Sequence, residues 1–180
     1  MMSRNVLILV MFALLLQNGA VFSQSNPKDT TAYSNFVRND LEKTERTFKN
    51  TSISIRLPKH FKEFSNEDIN GYMHTGTASS IVAYELEETP YALSSDSLTQ
   101  EHLSGQDVKL VGQQESKTYK GAPAKFYFVE FTTKGVEVIR IMFFTGSYNK
   151  TVFLQANYPK VFDSLLRNVI MESFRTVKFQ

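Results

Sequence analysis

The sequence predicts an α+β domain, an antiparallel sheet flanked by helices on both faces. Three observations predict it. Residues 124–132, 136–145 and 150–158 are strongly apolar runs of strand length. They are separated by brief turn sequences, Lys134-Gly135 and Gly146-Ser147-Tyr148-Asn149. Links this short favour antiparallel neighbours, because a parallel return needs a longer crossover. An amphipathic helix pattern then follows over 159–172, where Val161, Phe162, Leu165, Leu166, Val169 and Ile170 recur at helical spacing. Pro159 suits its first turn, and Asp163 with Arg167 supports the opposite face.

The chain opens with one basic residue, Arg4, and an apolar run over 6–16. Small residues follow near Val21-Phe22-Ser23. This is the pattern of a secretory signal peptide, and the run is short for a membrane span of roughly 20 residues. The expected signal peptide is 1–23, cut between Ser23 and Gln24, with cleavage after Ala20 as the alternative and an uncleaved anchor as the competing reading. No cysteine is present, so the exported chain relies on its core rather than on disulfides, and it has neither a thiol nucleophile nor a thiolate metal ligand. Twenty Lys and Arg stand against 18 Asp and Glu, a balance that gives no reason to expect nucleic acid or an anionic membrane as partner. No stable membrane span is expected once the signal is removed, and the expected location is periplasmic or extracellular.

Residues 24–50 read as a polar leader and an N-terminal helix. Tyr33, Phe36, Val37, Leu41 and Phe48 supply a half-apolar stripe, and Glu42–Arg46 and Glu45–Lys49 supply i,i+4 pairs. One globular domain is expected over 51–180, long enough to bury a core. Ile53, Ile55 and Leu57 alternate with polar residues up to Pro58, a strand pattern. A second strand is expected over 71–77, interrupted by Gly76, and a clearer one over 79–87. Ser97-Leu98-Thr99-Gln100 fits a capping box opening a short helix that ends by Gly105. A long, mostly polar strand follows over 108–119, with Gly112 permitting a bend.

The central strands are apolar on both faces, which requires cover on both. Phe126 and Phe128 lie on one face of their strand, with Tyr127, Val129 and Phe131 on the other. The C-terminal helix closes one face. The 97–104 helix, the N-terminal helix or a partner closes the other. Surplus aromatics assigned to that second face, Tyr127, Phe131, Phe143 and Phe153, together with Val129, make the candidate partner- or ligand-binding surface. The competing reading is ordinary core.

This order resembles the PsbP/Mog1-like family, which includes bacterial DcrB-type exported proteins. The resemblance is carried by Leu57-Pro58 with Phe61, and by a helix placed after the third strand ahead of a run of long strands. It is carried also by Leu154-Gln155-Ala156-Asn157-Tyr158-Pro159 leading into a helix closed by Ser173-Phe174. It spans about 51–178 and implies an antiparallel sheet between helices. Roles within the family differ: photosystem assembly, partnership with a small GTPase, and envelope proteins. Most members are not enzymes.

Catalytic and metal motifs are sparse. His60, His74 and His102 lack any metal-ligand spacing. Glu85 and Glu87 share a strand face, with Glu88 beside them, and would serve as an acid/base pair or a calcium site only with further oxygen ligands. No serine lies in a nucleophile frame, and no glycine cluster forms a phosphate loop. The sequence therefore predicts an exported, non-enzymatic binding or accessory protein of the cell envelope that contacts a protein partner or a small apolar ligand, with no cofactor and no metal. The alternatives are a small carboxylate-dependent periplasmic enzyme and a structural domain without a defined ligand.

Overall fold

The computed structural model describes residues 40–65, 69–103 and 108–179. The expected signal peptide, its Ser23–Gln24 junction and the helix residues Tyr33, Phe36 and Val37 lie outside these. The strands are β1 (Arg46–Thr47), β2 (Ser54–Ile55), β3 (Lys62–Ser65), β4 (Asn70–His74), β5 (Ser79–Glu87), β6 (Val108–Lys117), β7 (Pro123–Thr133), β8 (Val136–Gly146) and β9 (Lys150–Pro159). The α-helices are α1 (Tyr91–Ser95), α2 (Gln100–Leu103) and α3 (Asp163–Arg175). Seven strands form one antiparallel sheet in the order β3-β4-β5-β9-β8-β7-β6, and β1-β2 is a separate hairpin. The fold is α+β, as the sequence predicts.

The meander β6–β9 follows from local chemistry. Lys134 and Gly135 both have positive φ, 49° and 77°, the conformation a two-residue hairpin turn needs to match strand twist. The turn sets Thr133 opposite Val136 and, along the same ladder, Phe126 opposite Phe143. In the next link Gly146 has φ 151°, and a Cβ there would meet the Lys150 carbonyl at 2.1 Å, so only glycine fits. In β6 the register shifts between Leu110 and Gly112, the bend expected at Gly112, and Val111 turns out to solvent. A bulge on this edge strand discourages further pairing.

The first face of the sheet carries Phe126, Phe128, Ile139, Ile141, Phe143, Leu154, Ala156 and Tyr158 into one core with Leu166, Val169, Ile170 and Phe174 of α3. The helix begins four residues later than its pattern suggests. Pro159 is extended and ends β9, residues 160–162 form a 3-10 turn, and Val161 is exposed rather than part of the stripe. Ser173 and Phe174 close the helix in two ways. Phe174 is fully buried, and the Ser173 hydroxyl donates to the Arg56 carbonyl at 2.6 Å.

Residues 40–50 correct the helix expectation. They form no helix but run extended against 53–59. Glu42 N–H donates to the Leu57 carbonyl at 2.8 Å and Phe48 N–H to the Ile53 carbonyl at 2.9 Å, with Leu41 bridging Pro58. Phe48 sits in the first core edge-on to Tyr72, with ring centroids 5.1 Å apart. The helical spacing of Leu41 and Phe48 was incidental, because long-range pairing satisfied the backbone groups that a helix would have used. The Glu42–Arg46 ion pair nevertheless forms, at 2.9 Å, while Glu45 turns to Lys178.

The second face owes its cover to topology. β5 lies in mid-sheet and pairs with β9, whereas β6 lies at the far edge. The link between them must therefore cross β9, β8 and β7. That crossover carries α1, which packs on β8 and β9, and α2, which packs on β6. The capping box expected at Ser97 is displaced: the Thr99 hydroxyl, not that of Ser97, accepts from the His102 N–H at 3.3 Å. Gln100 reaches to β6 instead, accepting from Leu110 N–H at 2.7 Å. Two helices of five and four residues thus stand on this face, where the sequence predicted one short helix over 97–104.

Candidate functional site

The expected binding face divides in three. Tyr127, Val129 and Phe153 do lie together on the second face, with Met142 and Phe144, but they are buried beneath Leu98 and Leu103 of the crossover. Phe153 stacks on Phe144 at 4.8 Å and on Tyr84 at 5.8 Å, and the Tyr127 hydroxyl donates to the Ser95 carbonyl. Burial raises the Tyr127 pKa, so the phenol stays neutral. These three residues have a closed, core-like environment.

Phe143 is a correction. Its register opposite Phe126 puts it on the first face, where its ring lies 4.7 Å from Phe126 and 5.9 Å from Phe174. Cross-strand partners share a face, so Met142 and Phe144 occupy the second-face places that Phe143 was given.

Phe131 is only half-buried. The guanidinium of Arg140 lies 4.8 Å from its ring centroid, a cation–π contact. Arg140 is 5% exposed, and its Nε donates to Asn157 Oδ1 at 2.6 Å. Removal from water lowers the Arg140 pKa to about 10, which still leaves it charged at neutral pH. Asn157 and Gln155 are equally buried, and both side-chain atoms of Gln155 lack a hydrogen-bond partner. Register explains the row. Arg140 opposes Asn157, Met142 opposes Gln155, and on the other side of β9 Ser80 and Val82 oppose Asn157 and Gln155. A polar row thus lies inside an apolar face, beside Val129, Met142 and Phe153.

Sequence reasoning passed over this row, although a signal was present. Arg140 interrupts the apolar run Val138 to Phe144, and Gln155 and Asn157 alternate with Leu154, Ala156 and Tyr158. Polar side chains at alternate positions of a central strand point to one face.

The other candidates are not brought together. The Glu85 carboxylate accepts from the Ser52 N–H at 3.0 Å and from the Ser52 hydroxyl, and Lys150 Nζ lies 3.3 Å from it and 2.9 Å from Glu87. Burial opposes its ionisation, but the Ser52 and Lys150 hydrogen bonds outweigh it and lower the pKa. Such a carboxylate is a poor proton donor near neutrality. The Glu87 hydrogen bond holds Lys150 protonated, so the Ser52–Lys150 pair, 3.4 Å apart, lacks the neutral amine that would activate the hydroxyl. The cluster ties the turn after β1 to β5 and β9. His74 is buried in β4, its Nδ1 accepting from the Thr77 N–H at 3.2 Å and lying 2.8 Å from the Thr77 hydroxyl. His60 and His102 are exposed. Among the described residues no three His, Asp or Glu side chains gather in a metal-holding group, and no helix is long and apolar enough to cross a membrane.

No protein-family model matches the chain, and no curated protein does. Its fold is that of the PsbP/Mog1-like group. The cyanobacterial PsbP of Synechocystis superposes with a TM-score of 0.53 at 5% identity, over 79% of this chain and 94% of its own. LpqN of Mycobacterium tuberculosis, described as involved in cell envelope biogenesis, gives 0.53 at 14% identity, over 86% of this chain and 99% of its own. A Bacteroides thetaiotaomicron protein gives 0.49 at 16% identity over 72% of this chain, which spans 45% of that protein's length.

Proposed function

We propose that this chain is an exported, non-catalytic accessory protein of the cell envelope that engages a protein partner or a small apolar ligand through the second face of its sheet. The observation that carries this reading is the row Arg140, Asn157 and Gln155. These are buried polar groups set in an apolar face whose cover is a crossover with two short helices. A face meant only as core would be cheaper if wholly apolar. The likeness to LpqN, described as involved in cell envelope biogenesis, fits an exported chain, as does the signal-like segment at 1–23. In this reading the chain comprises a signal peptide, a leader and one domain with cover on both faces of the sheet. Phe131 is the accessible member of the site, and Tyr127, Val129 and Phe153 lie behind it, closed over by Leu98 and Leu103.

The test is binding of the hydrophobic dye 1-anilinonaphthalene-8-sulfonate to the native protein. Wild type is expected to bind it, and Phe131→Ser to weaken that binding several-fold. Val136→Ser, an exposed position on the same sheet, is expected to leave it unchanged. No dye binding by native wild type, or equal losses in both variants, would defeat the reading. Protein recovered from the host envelope is expected to begin at Gln24, and an intact Met1 would refute the export half.

A further inference from the structure

We propose that Gln155 is the recognition element of a buried site for a small molecule that carries an apolar chain and an amide group. The inference rests on the reading of the second face given above and narrows its ligand.

Gln155 is 1% exposed, and neither Oε1 nor Nε2 has a hydrogen-bond partner. Buried polar side-chain atoms are nearly always paired, and leaving both ends of one amide unpaired forfeits stability that an apolar side chain of the same size would keep. The neighbouring amide shows that the fold can satisfy such a group: two residues along the same face, Asn157 Oδ1 accepts from Arg140 Nε at 2.6 Å. Gln155 instead lies between its cross-strand partners Val82 and Met142. Along its own strand it lies between Phe153 and Asn157.

These surroundings specify the ligand. An unpaired carboxamide offers one acceptor and two donors. A ligand carboxylate would satisfy only the donors, and an ester only the donors as well. A ligand amide returns both a donor and an acceptor and forms a two-point pair with Gln155. Val82, Met142, Phe153, Phe144 and Tyr84 present no strong hydrogen-bonding group beside the amide except the Tyr84 hydroxyl, so the rest of the ligand must be apolar. The proposed approach is from the β5 side, where Tyr84 and Ser80, on the strand beside Gln155, are half-buried. In the proposed complex the apolar part of the ligand lies toward Phe153 and its amide meets Gln155, with Asn157 and Arg140 beyond.

The experiment is thermal melting of the full chain with decanamide and with methyl decanoate, which has the same chain and a carbonyl but no N–H. A ligand that binds the native state raises the midpoint in a concentration-dependent way, and a site built to hydrogen-bond an N–H discriminates strongly against an analogue that lacks it. Decanamide is expected to bind at least tenfold more tightly than the ester. Gln155→Leu and Gln155→Met are each expected to raise the midpoint of the unliganded protein and to abolish the preference. Equal shifts with amide and ester in wild type, or no shift with either, overturn the proposal, and the amide is then satisfied by bound water alone. An amide preference that survives in Gln155→Leu also overturns it. The wild-type comparison decides even if a variant fails to fold. Dye binding through Phe131 without amide preference would sink this proposal and leave the broader reading standing.

Discussion

The two faces of the sheet differ in where they put their polar groups. On the first face they stand at the margins and are satisfied. Glu85 is held by Ser52 and Lys150 at one end, and His74, Thr77 and Ser79 hydrogen-bond one another at the other. Between them the surface is apolar and is closed by the 13 residues of α3 together with Phe48, Ile53, Ile55 and Leu57 of the N-terminal segment. On the second face polar groups stand in the middle, at Arg140, Asn157 and Gln155, and a crossover segment supplies the cover. A face closed by a long amphipathic helix gains from every apolar contact. A face that keeps an unpaired amide in its interior gives up part of that gain, and function is the usual reason for such a sacrifice.

The largest effects should separate the two covers. Leu166→Ala removes a fully buried leucine from the α3 interface and is expected to cost about 2–5 kcal/mol, the range for deleting a core leucine. Leu98→Ala removes the corresponding leucine of the second cluster. Its cost is expected at the low end, about 2 kcal/mol, because a segment with two short helices can settle into the space, and the cavity part of the penalty shrinks when it does. Urea melts of both variants measure the difference. Equal costs would mean that the crossover is packed as rigidly as α3, and the contrast between the faces would disappear.

How much was legible in the sequence also divides by face. The meander strands were readable to within a residue or so because alternation and turn chemistry are local. The two-residue turn at Lys134-Gly135 even determines that Phe126 faces Phe143, so the misplacement of Phe143 was avoidable by counting outward from the turn. The 97–104 helix was among the covers expected for the second face, and Leu98 and Leu103 do pack there, but the path of the crossover was not readable. It exists because β5 pairs with β9 and leaves β6 at the edge, and strand order is set by long-range contacts that no local pattern encodes. The same holds for 40–50, where pairing with 53–59 overrode a helical spacing. The identities of Arg140, Gln155 and Asn157 were plain. What the sequence withheld was that they would be buried together, which depends on the register that sets Arg140 opposite Asn157 and Met142 opposite Gln155.

The next prediction concerns the satisfied margin of the first face. Glu85→Gln leaves shape intact but removes the charge that Ser52 and Lys150 hold. Hydrogen bonds to a charged group contribute about 1.5–3 kcal/mol, and some solvent access at this site reduces that, so a loss of about 1–2 kcal/mol is expected near neutral pH. The sign with pH follows from the direction of the shift. The folded-state pKa of Glu85 is lowered, so its contribution is full above the unfolded value of about 4.3. It is lost as pH falls through the folded value. Wild type and Glu85→Gln should therefore converge in stability below that window. A constant gap down to the most acid conditions would show that packing, not charge, accounts for the loss.

The smallest expected effect is at the opposite margin, and it has the opposite chemistry. His74 is buried, and burial, followed by the charge of His60, lowers its pKa. Its Nδ1 accepts from Thr77 N–H, so the ring is neutral with its proton on Nε2, and protonating Nδ1 would cost that bond. Below the unfolded histidine value of about 6.5 the unfolded chain takes up a proton that the folded chain refuses. Stability should then decline as pH falls from about 6.5 toward the folded value, and should not depend on His74 above 6.5. His74→Gln keeps an acceptor within reach of Thr77 but cannot titrate. Its urea midpoint should be flat across that window, where wild type slopes. The sharper form of the comparison is that no second-face substitution should change this slope. If Gln155→Leu altered it as much as His74→Gln, the two faces would be coupled through the sheet, and the polar row could not be treated as independent of the first core.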